Sequence, residues 1–191
     1  MATLVFTLIA FGGGFLAGLH GTGGPTTGPM AGAVPASGRG GIGLQASCYF
    51  SPGSGCATAL VDEIRSASVT LEVQGYALTS PPVAQAIVEA HRRGLRVTVV
   101  LDAVQASERR DQVLSLLRAG VPVYVDAKHG AADNRVILID DRVLITGSFN
   151  FTDLADENAE NLLIIRDQAQ LQSAYEENFR VHLTHARPFE G

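Results

Sequence analysis

The chain has 191 residues, of which 46% are hydrophobic and 17% are charged. This composition fits one globular domain with a short extension and argues against disorder. The formal net charge of −5 excludes a global basic field, so contact with nucleic acid or an anionic membrane would need a local basic patch. The two cysteines, Cys48 and Cys56, are too few for a closed zinc site and lack the C-x-x-C spacing of a redox pair. A disulfide in an exported domain and two buried thiols both stay open.

The chain begins with an apolar segment, since its first 19 residues carry no charge. A membrane-spanning helix needs roughly 20 apolar residues, so residues 1–20 are predicted to be a signal peptide or a membrane anchor. Either would place the domain outside the cytoplasm, as a secreted, periplasmic or membrane-tethered protein, and a buried core helix is the alternative. Residues 21–43 are rich in Gly, Pro, Thr and Ala without a hydrophobic period, which predicts a flexible linker.

Strand and helix patterns alternate through the remaining residues, 44–191, which are predicted to form one domain. Ser107 is the predicted N-cap of the third helix, and Gly120 follows its end. This alternation indicates an α/β sandwich, a central mixed sheet with helices on its faces. The predicted strands are 47–50, 69–75, 95–102, 121–125 and 162–166, and the predicted helices are 56–65, 81–91, 107–118 and 168–183.

A β-hairpin is predicted between the fourth and the last of these strands. Two runs rich in Val, Ile and Leu, 135–139 and 143–146, are joined at Asp140 and Asp141. Gly147 would let the backbone approach whatever lies above the sheet. Ser148 and Asn150 alternate onto one face, where both can donate hydrogen bonds. This end of the hairpin could therefore bind an anion.

The stretch 133–150 resembles the signature of the phospholipase D superfamily: His-x-Lys, four residues, Asp, six residues and Gly-Ser. Asp133 stands where the family has His, and Arg135 where it has Lys. Asp140, Gly147 and Ser148 fall at the expected positions. The likeness extends over about 48–182 and is strongest to small, secreted, nuclease-like bacterial phosphodiesterases. Further matching motifs are Val-Leu-Asp at 100–102, Asp-Ala-Lys-His at 126–129, Phe-Thr at 151–152 and Glu-Asn-Ala-Glu-Asn-Leu at 157–162.

The resemblance implies a phospholipase D-like α-β-α sandwich and a homodimer in which the motifs of two chains meet. One His would attack phosphorus and the other would protonate the leaving oxygen, without a metal or another cofactor. An imidazole suits both tasks because its unperturbed pKa is about 6.5. The implied substrates are phosphodiesters of DNA, RNA or phospholipid.

The same resemblance assigns roles to single residues. Asp133, Arg135 and Glu160 are the catalytic candidates, and Glu160 matches a family carboxylate that orients the histidine. We expect Glu160 to form an ion pair with Arg135. The phosphate-binding candidates are Arg135, Ser148 and Asn150. Asp140 and Gly147 are assigned structural roles, and no metal ligand is assigned.

The departure at the first motif position changes the expected chemistry. An ionised carboxylate at Asp133 is a poor acid and would approach an anionic diester against charge repulsion. Aspartyl phosphates do exist, and two facing Asp133 side chains in a dimer could share a proton. Arg135 is a milder change because a guanidinium binds phosphate bidentately.

The remaining histidines offer no clear replacement for the missing imidazole. His129 lies four residues before Asp133 and is either near the mouth of the site or an ordinary loop residue. His91 is expected to be a solvated charge at a helix end, and His182 and His185 are expected at the surface of the last helix. Two hypotheses result: a phosphodiesterase with weak or altered chemistry, and a catalytically inactive dimer that binds phosphate or polyanions. A third is that both substitutions were introduced into an active parent.

Overall fold

The computed structural model of the chain describes residues 34–36 and 44–191. The predicted signal or anchor at 1–20 lies outside these ranges, as does the predicted linker except for its residues 34–36. The described strands, numbered in chain order, are Val34–Ala36 (β1), Gln45–Phe50 (β2), Thr70–Gly75 (β3), Arg96–Asp102 (β4), Val123–Asp126 (β5), Arg135–Ile139 (β6), Val143–Gly147 (β7), Asn161–Arg166 (β8) and Arg187–Pro188 (β9). They form one sheet in the order β1-β2-β8-β7-β6-β3-β4-β5-β9.

The described helices supply the connections that a mixed sheet needs. β3, β4 and β5 are parallel neighbours, and the other neighbouring pairs are antiparallel. Parallel strands require a crossover connection, and the second helix and the next two provide the crossovers from β3 to β4 and from β4 to β5. The helices are Cys56–Ser66 (α1), Pro81–Arg92 (α2), Ala103–Glu108 (α3), Asp111–Arg118 (α4) and Ala169–His185 (α5).

The sheet has a hydrophobic core on each face. The larger core includes Leu60 of α1, Ile87 of α2 and Ile137 of β6. On the opposite face, Phe179 of α5 packs in a smaller cluster with Leu138 of β6. Neighbouring residues of β6 point to opposite faces, so an uninterrupted apolar strand can serve both cores. The predicted α/β sandwich with a central mixed sheet is confirmed.

The predicted helix 107–118 is confirmed over 111–118, which is α4, but its predicted start and its Ser107 cap are wrong, because residues 103–108 form a separate helix, α3. Asp102 at the end of β4 accepts hydrogen bonds from the amides of Val104 and Gln105, both at 3.0 Å, and thereby caps α3 at 103–108. The Ser107 hydroxyl donates to the Ala103 carbonyl inside that helix rather than capping a new one. A buried carboxylate next to the first amides of a helix is a strong cap, so Asp102 starts a short helix that already contains Ser107, and α4 begins only at Asp111.

Two further features bear on the sequence expectations. In the described part of the chain, no helix is long and apolar enough to span a bilayer. Cys56 is a buried thiol at the start of α1, which favours the thiol alternative over the disulfide.

Candidate active site

The β6–β7 hairpin lies in the middle of the sheet and holds the motif at the edge formed by strand ends, where β6 begins and where β3 and β7 end. Asp140 and Asp141 form its turn, each with φ 53°. Positive φ at both central residues matches the right-handed twist of the paired strands. At the open end, Arg135 begins β6 and pairs with Gly75, the last residue of β3. The residues after β7 reach the same edge, so the two halves of the motif meet there.

Arg135 is the centre of the polar cluster at this edge. Its Nη1 lies 2.9 Å from Asp133 Oδ1, and its Nε donates to Asn150 Oδ1 at 2.8 Å. The Arg135 side chain is 20% exposed, whereas that of Asp133 is 51% exposed. The guanidinium is therefore held in place from within the protein, while the carboxylate that pairs with it borders solvent.

Glu160 continues the cluster through Asn150. Its Oε2 accepts the Asn150 backbone amide at 2.6 Å, and its Oε1 accepts the side-chain amides of Asn150 at 3.3 Å and Asn158 at 3.0 Å. The predicted ion pair between Glu160 and Arg135 is therefore wrong for this structure. Because Arg135 forms its ion pair with Asp133, the Glu160 carboxylate bonds to Asn150 and orients that side chain instead.

Ser148 lies at the side of the site that faces β8. Its Oγ accepts hydrogen bonds from the backbone and side-chain amides of Asn161, both at 3.0 Å. The hydroxyl proton can still be donated outward. Gly147 has φ 142°, and a Cβ there would lie 2.3 Å from the Asn161 carbonyl oxygen. Only glycine allows the backbone of β7 to approach β8 this closely at residue 147. The close approach positions the next residue, Ser148, beside Asn161.

Asp140 lies at the opposite end of the hairpin, five residues or roughly 16 Å along β6 from Arg135. Its carboxylate accepts the amides of Ser68, Val69 and Thr70 and the Ser68 hydroxyl at 2.7–2.8 Å. Burial by itself would raise the pKa of Asp140, but these hydrogen bonds outweigh it and lower the pKa. Asp140 thus joins the hairpin turn to the start of β3 and makes no contact with the cluster around Arg135.

Residues 60–183 match the family described as "Cardiolipin synthase, PLD-like domain". The chain belongs to the phospholipase D superfamily. A phospholipase D of Rickettsia bellii is 37% identical over 134 residues, 70% of this chain and 66% of the relative. A mitochondrial cardiolipin hydrolase of Homo sapiens is 33% identical over 135 residues, 70% of this chain and 54% of the relative. The chain therefore spans at most about two thirds of the length of these relatives.

Solved structures of the superfamily share the fold. Nuc of Salmonella typhimurium, a phospholipase D family member, superimposes with a TM-score of 0.69 at 24% identity, covering 77% of this chain and all of Nuc. NucT of Helicobacter pylori gives a TM-score of 0.67 at 23% identity, covering 76% of this chain and 99% of NucT. At these identities the likeness establishes the phospholipase D-like α/β fold and nothing finer.

A second polar cluster in this phospholipase D-like domain was missed by sequence reasoning. Asp126 ends β5, and its Oδ2 faces ring nitrogens of His129, His182 and His185. Burial would raise the pKa of Asp126, but hydrogen bonds, the largest from His182, outweigh it, and the net pKa is lowered. The surface positions expected for His182 and His185 are wrong, since their side chains are only 13% and 16% exposed. The sequence patterns that could have predicted this cluster are Asp-x-x-His at 126–129 and His-x-x-His at 182–185.

The other histidine in the described region also departs from expectation. His91 is partly buried in α2, and its Nδ1 is buried without a hydrogen-bond partner. It is therefore not the solvated charge that its place near a helix end suggested. His129, by contrast, is 43% exposed and lies in the loop between β5 and β6. Of the histidines in the described region, none contacts the cluster around Arg135 through a hydrogen bond or an ion pair.

Proposed function

We propose that this protein is a phospholipase D-like phosphodiesterase that hydrolyses phosphodiester bonds of nucleic acid or phospholipid slowly and without a metal ion at the phosphate. The observation that carries the proposal is the continuous polar chain from Asp133 through Arg135 and Asn150 to Glu160 at one edge of the sheet. Related proteins named phospholipase D and cardiolipin hydrolase support a phosphodiester substrate.

Three residues would hold the phosphate. The Arg135 guanidinium can bind two non-bridging oxygens, and the Ser148 hydroxyl can donate to one of them. The Asn150 side-chain amide is 3.3 Å from Glu160, the longest contact of that carboxylate, so a phosphate oxygen could replace it. Together these donors would stabilise the negative charge that develops during phosphoryl transfer.

Bond cleavage would depend on Asp133. Its carboxylate oxygen would attack phosphorus, form an aspartyl phosphate and release the leaving alkoxide, and water would then cleave the new bond. Two features slow this reaction: the carboxylate approaches an anionic diester, and its ion pair with Arg135 partly neutralises the binding cation. Asp133, Glu160 and Arg135 together carry a net charge of −1 when ionised, which further disfavours an anionic substrate.

A second copy of the chain is part of the proposal. Asp133 is half exposed at the edge of the sheet, so it can face its equivalent in a homodimer. Two carboxylates close together tend to share one proton. The shared proton would provide one carboxylic acid to protonate the leaving oxygen and one carboxylate to attack phosphorus.

A catalytically inactive binding protein is the second candidate. The specific observation in its favour is the 2.9 Å ion pair between Asp133 and Arg135. Asp133 stands where the family has its nucleophilic His, and its carboxylate is engaged by the guanidinium. Such a dimer would still carry Ser148 and Asn150 and could bind phosphate groups or polyanions without cleaving them.

One assay separates the two candidates. Cleavage of a chromogenic phosphodiester and of plasmid DNA is measured with EDTA for this protein and for the double variant Asp133→His, Arg135→Lys. We expect slow turnover in the parent and a gain of about 10²–10⁴-fold in the variant, the usual contribution of positioned acid–base groups. Parent activity no greater than a buffer blank would favour the binding protein. Equal brisk activity in both proteins would contradict the chemical argument.

The dimer and the location each need a separate measurement. Light scattering of the purified full chain is expected to give twice the mass of one chain, and a monomer at all concentrations would remove the shared-proton step. We also propose export or membrane tethering from the apolar, uncharged residues 1–19. Cell fractionation of the full chain, compared with a variant that lacks residues 1–20, tests this location.

A further inference from the structure

A compact set of metal-type ligands lies apart from the phosphate site. The ligand atoms of Asp126, His129, His182 and His185 all lie within 4.8 Å of one another. Asp126 ends β5, His129 follows in the next loop, and the other two lie three residues apart near the end of α5. The fold therefore brings together residues 59 positions apart in the chain. Their side chains share no contact with Arg135 or Asn150.

Hydrogen bonds alone do not account well for this arrangement. Ring nitrogens of His182, His185 and His129 lie 2.7, 3.1 and 3.1 Å from the same Asp126 Oδ2. A carboxylate oxygen has two lone pairs, so three donors exceed what it can accept well. The other oxygen, Oδ1, is already bonded by the Lys128 amide at 2.9 Å and takes none of them. Three ring nitrogens thus face one oxygen that can accept only two favourable hydrogen bonds.

The separations suit a shared cation. Zinc binds imidazole nitrogen and carboxylate oxygen at roughly 2.0–2.2 Å, usually with four ligands in a tetrahedron. The edges of such a tetrahedron are roughly 3.3 Å long, close to the 2.7–3.1 Å between Oδ2 and the three nitrogens. The four ligand atoms lie within 4.8 Å of one another, so the wider separations between imidazoles would have to shorten as the side chains close around one ion. The Lys128 amide would fix the orientation of the ligating carboxylate.

We propose that Asp126, His129, His182 and His185 bind one borderline divalent cation, Zn²⁺, in a closed four-ligand site. Three imidazoles and one carboxylate are the ligand set that favours such an ion over Mg²⁺ or Ca²⁺. Since all four positions are filled by the protein, the ion stabilises structure and leaves no position for a substrate. The phosphate chemistry proposed above proceeds without it.

The site would join α5 to the loop that carries Asp133. His129 lies at the start of this loop, and at its other end the Ala132 amide donates to the buried Asp102 at 2.9 Å. Asp133 is the next residue. A bound ion would fix the first part of the loop to the end of α5 and so restrict the position of Asp133 from a distance.

The test uses the full chain without a histidine tag, stripped with chelator, desalted and given Zn²⁺ alone. We expect one bound Zn²⁺ per chain by atomic emission and a higher midpoint of thermal unfolding by circular dichroism. Co²⁺ in place of Zn²⁺ is expected to give the intense visible absorption of a tetrahedral site. Less than about a tenth of an equivalent of Zn²⁺, with no thermal shift, would overturn the proposal.

Two ligand variants and one control locate the ion. His129→Asn removes a half-exposed ligand, so the fold should survive, and His182→Asn removes a more buried one. Each is expected to weaken Zn²⁺ binding at least about 100-fold and to abolish the thermal shift. His91→Asn, outside the cluster, should bind as the parent does. Undiminished binding by His129→Asn would place the ion elsewhere and refute the assignment, even if His182→Asn did not fold.

Discussion

The two ends of the β6–β7 hairpin each carry an aspartate of the motif, in opposite surroundings. At the turn, Asp140 accepts four hydrogen bonds from Ser68, Val69 and Thr70. At the open end, Asp133 is 51% exposed and is held by its ion pair with Arg135. One carboxylate is fixed by backbone amides at the start of β3, and the other pairs with the guanidinium of Arg135.

The two aspartates of one motif therefore have different expected roles: Asp140 stabilises the fold, and Asp133 affects what the site binds. A carboxylate that accepts hydrogen bonds from several backbone amides stabilises the folded state, whether or not the protein is catalytically active. A half-exposed ion pair contributes little to stability, although it changes the charge that a ligand meets. Substitutions at the turn should therefore change unfolding, and those at the open end should change binding and catalysis.

Gly147 is where the largest loss of stability is expected. In Gly147→Ala, the new Cβ meets the Asn161 carbonyl in a backbone conformation that favours glycine, so the free energy of unfolding should fall by about 3 kcal/mol. Chemical denaturation followed by circular dichroism measures the change. Gly130→Ala is the matched control, because a Cβ there meets nothing within 4 Å. Equal, small effects in both variants would show that β7 and β8 are not packed as described.

Asp140 is the next largest expected effect. Asp140→Asn keeps a residue that tolerates positive φ but replaces one carboxylate oxygen with an NH2 group, which then faces either the two donors of Ser68 or the amides of Val69 and Thr70. This should cost about 2 kcal/mol of unfolding free energy. Asp141→Asn, in the same turn with the same φ of 53°, should change it by less than about 0.5 kcal/mol. If phosphate affinity fell along with stability in Asp140→Asn, the separation of the two ends would fail.

The stabilisation that Asp140 contributes at the turn should depend on pH. Hydrogen bonds lower the pKa of Asp140 in the folded protein, so its contribution is fully present above the ordinary aspartate value of about 3.9 and is lost as pH falls through the folded value. The stability difference between the parent and Asp140→Asn should thus be constant from pH 7 to about 5 and shrink below about 4. Denaturation at several pH values measures it, and a difference that grew on acidification would contradict the sign.

Asp133 should show the smallest change in stability and a distinct change in binding. Asp133→Asn removes an exposed ion pair, so the free energy of unfolding should move by less than about 1 kcal/mol. Orthovanadate or inorganic phosphate should bind about five- to tenfold more tightly, since Arg135 loses its competing anion and the site loses one negative charge. Isothermal titration at low salt checks both anions. Asp62→Asn, at an exposed position of α1, is the charge-matched control and should leave the affinity unchanged.

Local patterns predicted much of the fold because periodicity and turn residues act over a few positions. The alternating strands and helices, the hairpin and the mixed sheet were predicted from these patterns, and the superfamily was identified from its motif. The helix expected at 107–118 was found at 111–118, and its start was wrong because Asp102, at the end of a buried strand, caps a separate short helix at 103–108. Strand β9 has two residues, too few for any periodic pattern.

The sequence by itself determined the strand and helix pattern and the motif by which the superfamily was identified, and its resemblance to that motif predicts that Asp133 and Arg135 stand where the family has an imidazole and an ammonium. Only the tertiary structure decided which charges meet: that Arg135 pairs with Asp133 and not with Glu160, and that His182 and His185 turn inward to Asp126. The physical reason is that spacing along the chain does not fix which groups meet in space. Asp133 lies two residues from Arg135, but the competing Glu160 comes from the segment before β8, and His182 and His185 of α5 lie 56 and 59 residues from Asp126.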